Sequence, residues 1–247
     1  MKIIITYINH SGFLLEWDSC YFLFDYYNGQ IPSLDSNKML VVFVSHGHGD
    51  HFNPEIFRLY KEHPKTTYLI SSDIKLNKIT NQKYGITEEI SSLIKVVKPN
   101  QKYEIFDKDN NRINIETLKS TDSGVAFLIG YKDKTIYHAG DLNLWMWMGE
   151  TKQYNNNMSA SFKKEISKLE NKNIDIAFAP LDPRQEEWYN LGMDALLKSS
   201  KVKYVFPMHF WDKPEIIQKY INESDVYKTS TNIMDIKQEG QKWSIEL

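Results

Sequence analysis

At 247 residues, 41% of them hydrophobic and 25% charged, the chain has the make-up of a soluble globular protein, long enough for one large domain or two small ones. A net charge of −2 with scattered basic residues leaves no electrostatic footprint for nucleic acid. No apolar stretch approaches a membrane span, and the single cysteine, Cys20, excludes an intrachain disulfide, which fits a cytoplasmic location.

The first residues, Met1 to Ile8, lack a long apolar region and a cleavage site, so they read as a first strand and not a signal peptide. Strands are expected at 3–8, 13–17 and 21–25, joined by tight turns at Asn9-His10-Ser11-Gly12 and Asp18-Ser19. Cys20 opens the third run as a small buried hydrophobe. Residues 39–44, MLVVFV, have the β-branched and aromatic content of a strand buried on both faces. A helix over 54–62 comes after it, with Asn53 as N-cap and Pro54 at its first position. His63, just beyond, reads as a surface residue near the helix C-terminus. A strand at 66–70 and a helical or irregular stretch over 72–92 come next, then strands at 94–97, 103–106, 113–118, 125–131 and 135–138.

In the second half, helix and strand alternate. The Asn-rich piece 154–158 reads as a loop, followed by an amphipathic helix over 159–170 capped by Ser159. Strands at 174–179 and 202–206 flank a helix over 194–200; a helix over 214–222 and closing strands at 226–229 and 243–246 complete the chain. No repeat and no Gly-, Pro- or Ser-rich linker divides it, so one domain over 1–247 is expected. Two sheets with outer helices are the natural packing for this order.

The chemistry concentrates in Ser45-His46-Gly47-His48-Gly49-Asp50-His51, an H-x-H-x-D-H pattern. Three imidazoles and a carboxylate within six positions suit a divalent metal: zinc, or manganese and iron with more oxygen ligation. The motif lies between a buried strand and a capped helix, a rigid mount. Gly47 and Gly49 let the loop turn sharply and take positive φ where needed. Other strands also end on chemistry-bearing residues: Asp25 after 22–24, His138 and Asp141 in His138-Ala139-Gly140-Asp141, and His209 after Pro207-Met208. A sheet scaffold is rigid at such ends. Trp145, Trp147, Phe210 and Trp211 lie just beyond two of these ends and are candidates for a substrate-pocket wall. Arg184 lies beyond another, either as a clamp for a substrate anion or as a local partner of Asp182, Glu186 or Glu187. His10 lines the pocket or bonds within its own turn.

In this order, these segments resemble the metallo-β-lactamase fold superfamily. The resemblance is closest to the branch of small metal-dependent hydrolases that includes the L-ascorbate-6-phosphate lactonase-like proteins. It rests on Asn9-His10-Ser11-Gly12-Phe13, Asp25, the H-x-H-x-D-H run, His138-Ala139-Gly140-Asp141 and Pro207-Met208-His209-Phe210. It implies an α/β (α+β) fold, a four-layer αββα sandwich of two mixed sheets flanked by helices, with a metal site at one edge. By this resemblance His46 and His48 would bind a first metal, Asp50, His51 and His209 a second, and Asp141 would bridge them. Asp25, His10 and His138 would support the ligands from behind. One departure stands out. The family's third histidine for the first metal is missing from Leu118-Lys119-Ser120-Thr121-Asp122-Ser123-Gly124. Either Asp122 replaces it, moving preference towards manganese or iron, or Asp122 forms an Asx-turn and the first site is weak or empty, leaving a single ion at the second.

The implied function is a metal-dependent hydrolase with one or two divalent ions, zinc first, manganese or iron as alternatives. A metal-bound hydroxide, oriented by Asp50, would cleave an ester, lactone or phosphodiester of a small molecule. The alternative is a non-catalytic metal-binding or ligand-sensing protein with a degenerate first metal site. A diiron oxygen-handling role is disfavoured by the lack of a flavin module, and a nuclease role by the charge. Oligomeric state is not legible.

Overall fold

The computed structural model describes residues 1–225 and 231–247. Its strands, in chain order, are β1 (Lys2–Asn9), β2 (Gly12–Glu16), β3 (Cys20–Phe24), β4 (Met39–Val44), β5 (Thr66–Ser71), β6 (Ile94–Val97), β7 (Lys102–Phe106), β8 (Arg112–Lys119), β9 (Val125–Tyr131), β10 (Lys134–His138), β11 (Asn173–Pro180), β12 (Lys201–Met208), β13 (Asn232–Ile233) and β14 (Lys242–Glu246). The helices are α1 (Lys78–Tyr84), α2 (Glu88–Ser92), α3 (Lys152–Ile166), α4 (Leu191–Ser199) and α5 (Glu215–Glu223), with 3₁₀ segments at Pro54–Lys61, Ser167–Leu169 and Pro183–Trp188.

Among the described residues these strands form two mixed seven-stranded sheets, in the orders β14-β1-β2-β3-β4-β5-β6 and β13-β12-β11-β10-β9-β8-β7. Each sheet is antiparallel on one side and parallel on the other. The parallel pairs are β3-β4, β4-β5 and β5-β6 in the first sheet, and β10-β11, β11-β12 and β12-β13 in the second. Parallel neighbours need crossovers; among the described residues helical segments lie in each of them except β3-β4, where residues 25–38 cross over without a helix.

Strand β4 shows how the layers are built. Its side chains alternate, Val41 and Phe43 joining the core between the sheets, and Leu40, Val42 and Val44 a second cluster with Ile56, Phe57 and Ile90 under the outer helices. The inner faces meet through aromatic rings, with centroids 5.3 Å apart for Phe43 and Phe127 and 4.5 Å for Phe13 and Phe178. Away from these rings a buried polar knot also joins the sheets. Asp107 Oδ2 accepts from Ser19 Oγ at 2.7 Å and from the Tyr131 hydroxyl at 2.5 Å.

Four expectations need correction. Helix α3 begins at Lys152, capped by Thr151, and absorbs the Asn-rich piece expected as a loop. Asn155 Oδ1 accepts from the Trp147 N–H and its Nδ2 donates to the Trp147 carbonyl, a tertiary anchor that overrides Asn's poor helix propensity. The segment after Asn53 is 3₁₀ rather than α, although Asn53 and Pro54 hold their expected cap positions. His63 is buried rather than on the surface. Neither Gly47 nor Gly49 has positive φ; Gly47 is instead packed close to Ile74, where a Cβ would lie 3.1 Å from Cγ1. The strand expected at 226–229 lies outside the described residues. No helix among the described residues is long and apolar enough to cross a membrane.

Candidate metal centre

Strand ends and turns from both sheets deliver the candidate side chains to one edge of the sandwich. Parallel strands contribute at their C-terminal ends: Asp25 comes after β3, the motif loop after β4, Asp141 after β10, Asp182 after β11 and His209 after β12. Ligand sites collect at that end of α/β sheets. The β1–β2 turn adds His10 and the β8–β9 turn adds Asp122.

Two groups result, each with its ligand atoms within 4.8 Å of one another: His46, His48, Asp122 and Asp141; and His10, Asp50, His51 and His209. Asp141 lies between them. Its Oδ2 is 3.4 Å from His46 Nε2, and its Oδ1 is 3.1 Å from His51 Nε2 and 3.4 Å from His209 Nε2. Asp122 Oδ2 is 3.5 Å from His48 Nδ1.

The rings are held from behind, which fixes which nitrogen faces the centre. His51 Nδ1 donates to Asp25 Oδ2 at 2.8 Å. His46 Nδ1 meets Ser45 Oγ at 2.9 Å, and that hydroxyl donates to the same Asp25 oxygen at 2.6 Å. The Ser45 N–H donates to Asp25 Oδ1 at 2.7 Å. His209 Nδ1 donates to Asp182 Oδ2 at 2.9 Å. In each ring Nδ1 is occupied and Nε2 is turned inward. His138 belongs to the frame: its Nε2 donates to the Ser11 carbonyl at 3.0 Å, its Nδ1 accepts from the Gly140 N–H at 3.1 Å, and it stacks on Phe24.

Two glycines permit the close approach. Gly124 (φ +68°) and Gly140 (φ +49°) both pack against Ser45; a Cβ on Gly124 would lie 2.0 Å from the Ser45 carbonyl oxygen, and one on Gly140 2.6 Å from Ser45 Cβ.

Electrostatics reflect the geometry. Burial, reinforced by His209 and His51, pushes His10 down to about 2, and burial together with His51 lowers His46. Both rings are therefore neutral at pH 7, the form that can donate a lone pair. Burial opposes charge on His51, yet Asp141 and Asp25, one at each ring nitrogen, hold it well above free imidazole. Burial likewise opposes charge on Asp141, and His51 and His209 keep it well below an ordinary carboxyl. A dense carboxylate–imidazole cluster of this kind favours a cation at its centre.

A cleft of about 240 Å³ opens onto the two groups. Its walls include Trp145, Trp147, Arg184 and, from α3, Tyr154 and Met158. Trp145 and Trp147 stack with centroids 6.1 Å apart, and Trp145 Nε1 donates to the Asp141 carbonyl. Arg184 pairs with Asp182, one of the alternatives the sequence left open, and still faces the cleft. Phe210 does not line it: the side chain is buried in the core against Tyr7. Trp211 stands at the rim, 39% exposed, with the Arg184 guanidinium 4.5 Å from its ring centroid. His10 lies deeper than a pocket-lining residue, with its ring centroid 4.2 Å from that of His209. Sequence reasoning missed Ser45, and saw Asp182 only as a partner for Arg184. Asp182 sits just past a buried strand, as Asp25 and Asp141 do, and that shared position was the available signal.

Residues 4–156 match the family model described as the beta-lactamase superfamily domain. A protein named a metal-dependent hydrolase, from Desulforamulus reducens, is 29% identical over 251 residues, covering 96% of this chain and 97% of its own. Among solved structures, a metallo hydrolase from the archaeon Ignicoccus hospitalis superposes with a TM-score of 0.61 at 16% identity, covering 100% of both chains. The metallo-β-lactamase fold protein YhfI from Bacillus subtilis superposes with a TM-score of 0.59 at 15% identity, over 98% of this chain and 99% of that one. With the family match spanning more than half its length and the same two-sheet fold, the chain belongs to the beta-lactamase superfamily and has the metallo-β-lactamase fold.

Proposed function

We propose that this chain, a metal-dependent hydrolase of the metallo-β-lactamase superfamily, cleaves an ester, lactone or phosphodiester bond in a small molecule held in the cleft beside Trp145, Trp147 and Arg184. One observation carries the reading. His10 Nε2, His46 Nε2, His51 Nε2 and Asp141 Oδ1 are buried without a hydrogen-bond partner, and all belong to the two groups. The His51 Nε2 and Asp141 Oδ1 atoms are 3.1 Å apart but lack hydrogen-bond geometry. Buried polar atoms are almost always satisfied, and four orphans at one place call for a missing partner that accepts lone pairs from all of them. A divalent cation fits that donor set.

His46, His48, Asp122 and Asp141 would hold a first ion, and His51, Asp50 and His209 a second, with Asp141 shared. When bound, such ions supply Lewis acidity that polarises the substrate and makes water acidic enough to ionise near neutral pH. The protein's own groups do the rest. Asp50, whose Oδ2 lies 3.5 Å from His10 and 3.8 Å from His209, would hold the second ion through that oxygen and orient the attacking water through the other. The stacked indoles exclude bulk water from one side of the reacting bond and strengthen electrostatic interactions there. Arg184 offers charge to an anionic part of the substrate. Zinc suits the imidazole-rich second group, and the extra carboxylate at the first shifts it towards manganese or iron.

The metal content of the purified chain and its turnover test this together. Two equivalents with hydrolysis of a generic phosphodiester or lactone support the enzyme. One tightly held ion with no turnover across a broad ester panel supports instead a metal-binding or ligand-sensing protein, a reading favoured by the exposure of His48 and Asp122 at the first group.

A further inference from the structure

We propose that His10 is itself a ligand of the second ion, so that the second position has three imidazoles and the first only two. The inference rests on the metal-dependent reading above and adds a residue to it.

His10 is 3% exposed, and its Nε2 has no hydrogen-bond partner. That nitrogen belongs to the group of four ligand atoms formed with Asp50, His51 and His209. Four or five donors sharing one ion through bonds of 2.0–2.2 Å lie about 3.0–3.6 Å from their neighbours. The separations here fall in or just beyond that range: 3.5 Å from His10 Nε2 to Asp50 Oδ2, 3.8 Å from His209 Nε2 to the same oxygen, and 3.4 and 3.1 Å from Asp141 Oδ1 to His209 and His51. A direct hydrogen bond between His10 and Asp50 would be much shorter, about 2.7–2.9 Å if charge-assisted. The pair is spaced as two donors around a common centre.

The backbone supports the same assignment. His10 has φ 53° and His209 φ 61°, both in the left-handed region that non-glycine residues rarely adopt. The two are tied together, the His209 N–H donating to the His10 carbonyl at 3.3 Å, while the His10 N–H donates to the Tyr7 hydroxyl at 2.8 Å. Paired unfavourable conformations at adjoining residues are characteristic of functional sites whose surroundings enforce them. Tyr27 and Trp211 contact the His10 ring edge-on and hold its orientation.

The two positions are then chemically unequal. The second is buried and rich in nitrogen; the first includes the half-exposed side chains of His48 and Asp122, 52% and 47% accessible. The second therefore fills first and holds zinc more tightly.

Anomalous diffraction on zinc-loaded wild-type protein tests the assignment directly. The expected result is a second ion about 2.0–2.3 Å from His10 Nε2. An ion there but more than about 3 Å from that nitrogen overturns the assignment while leaving the hydrolase reading intact, whereas wild-type protein that binds no ion overturns both. In solution, His10→Gln should weaken the tighter zinc by about 100-fold in chelator competition and change the visible absorption of the cobalt(II)-loaded form. Unchanged affinity and an unchanged cobalt spectrum would also reject His10 as a ligand. Should the variant not fold, the wild-type diffraction result decides.

Discussion

His209 donates its Nδ1 proton to Asp182 at 2.9 Å, and the Asp182 carboxylate also accepts from Arg184, Nε at 2.9 Å and Nη2 at 2.5 Å. Burial works against charge on Asp182, but His209 and Arg184 bring it down to about 2, so it is ionised throughout the physiological range. One carboxylate thus orients a candidate ligand and anchors a cleft cation. Asp182→Asn should weaken zinc binding at the proposed second position by about 10–100-fold, the usual effect of removing a ligand's hydrogen-bond partner. Chelator competition checks this; affinity equal to wild type would mean that His209 is positioned without Asp182.

Asp122 bears on the first position. Its carboxylate accepts no hydrogen bond from its own turn; instead Ser120 Oγ accepts from the Asp122 N–H at 3.1 Å. The Asx-turn alternative is therefore absent, and the side chain is left facing His48. Asp122→Ala should reduce bound metal from two equivalents to one while leaving the tighter ion in place. Elemental analysis after dialysis measures it, and two retained equivalents would mean that Asp122 holds no ion.

The ends of buried strands are legible in the sequence because apolar runs such as MLVVFV can only lie between layers, and the residues just beyond each run must surface at the sheet edge. Asp25, His46, His48, Asp50, His51, Asp141 and His209 all occupy such positions; the spacing of the H-x-H-x-D-H run marks its own four residues, whereas Asp25, Asp141 and His209 stand out from ordinary turn residues only through the family resemblance. The features that escape local pattern depend on contacts distant in sequence. The bond between Asp182 and His209 spans 27 positions, and the start of α3 depends on Asn155 gripping the Trp147 backbone. Phe210 and Trp211 look alike in the sequence, as aromatic residues after a ligand. Positive φ at both His209 and Trp211 turns the chain so that Phe210 enters the core and Trp211 reaches the rim. No local pattern announces that reversal.

Gly124 offers a test of how tightly the motif loop is clamped. Gly124→Ala would place Cβ 2.0 Å from the Ser45 carbonyl oxygen at φ +68°, combining backbone overlap with left-handed strain. The two effects together should cost about 2–5 kcal/mol. Gly49→Ala is the control, since a Cβ there meets nothing within 4 Å. Urea denaturation should separate the two variants clearly; equal stabilities would mean that the loop yields easily.

Asp107 predicts an acid dependence unrelated to metal. Burial opposes its charge, but hydrogen bonds from Tyr131, Asn111 and Ser19 depress its pKa far below an ordinary carboxyl. A depressed folded-state pKa stabilises the protein above the unfolded value of about 4, and that contribution is lost as pH falls towards the folded value. Asp107→Asn should cost about 2 kcal/mol at pH 7, the worth of hydrogen bonds to a charged group. The gap between variant and wild type should narrow below pH 4. Denaturation at pH 7 and pH 3 checks the sign, and a constant gap would show that the charge contributes nothing.

Arg184 decides whether the cleft reads charge. Burial alone would lower its pKa, but Asp182 outweighs that and raises it, so the guanidinium stays charged. It lies 4.5 Å from the Trp211 ring centroid and 5.9 Å from that of Trp147, with its side chain 48% accessible. Asp182 occupies its Nε and Nη2, which leaves Nη1 for a substrate phosphate or carboxylate. Arg184→Met keeps the side-chain bulk against the indoles and removes the charge. KM for an anionic substrate should rise about tenfold, the loss of one charge-assisted hydrogen bond, with little change in kcat or in KM for a neutral ester. An equal loss on both substrates, accompanied by weaker zinc binding, would assign Arg184 to holding Asp182, and through it His209, rather than to the substrate.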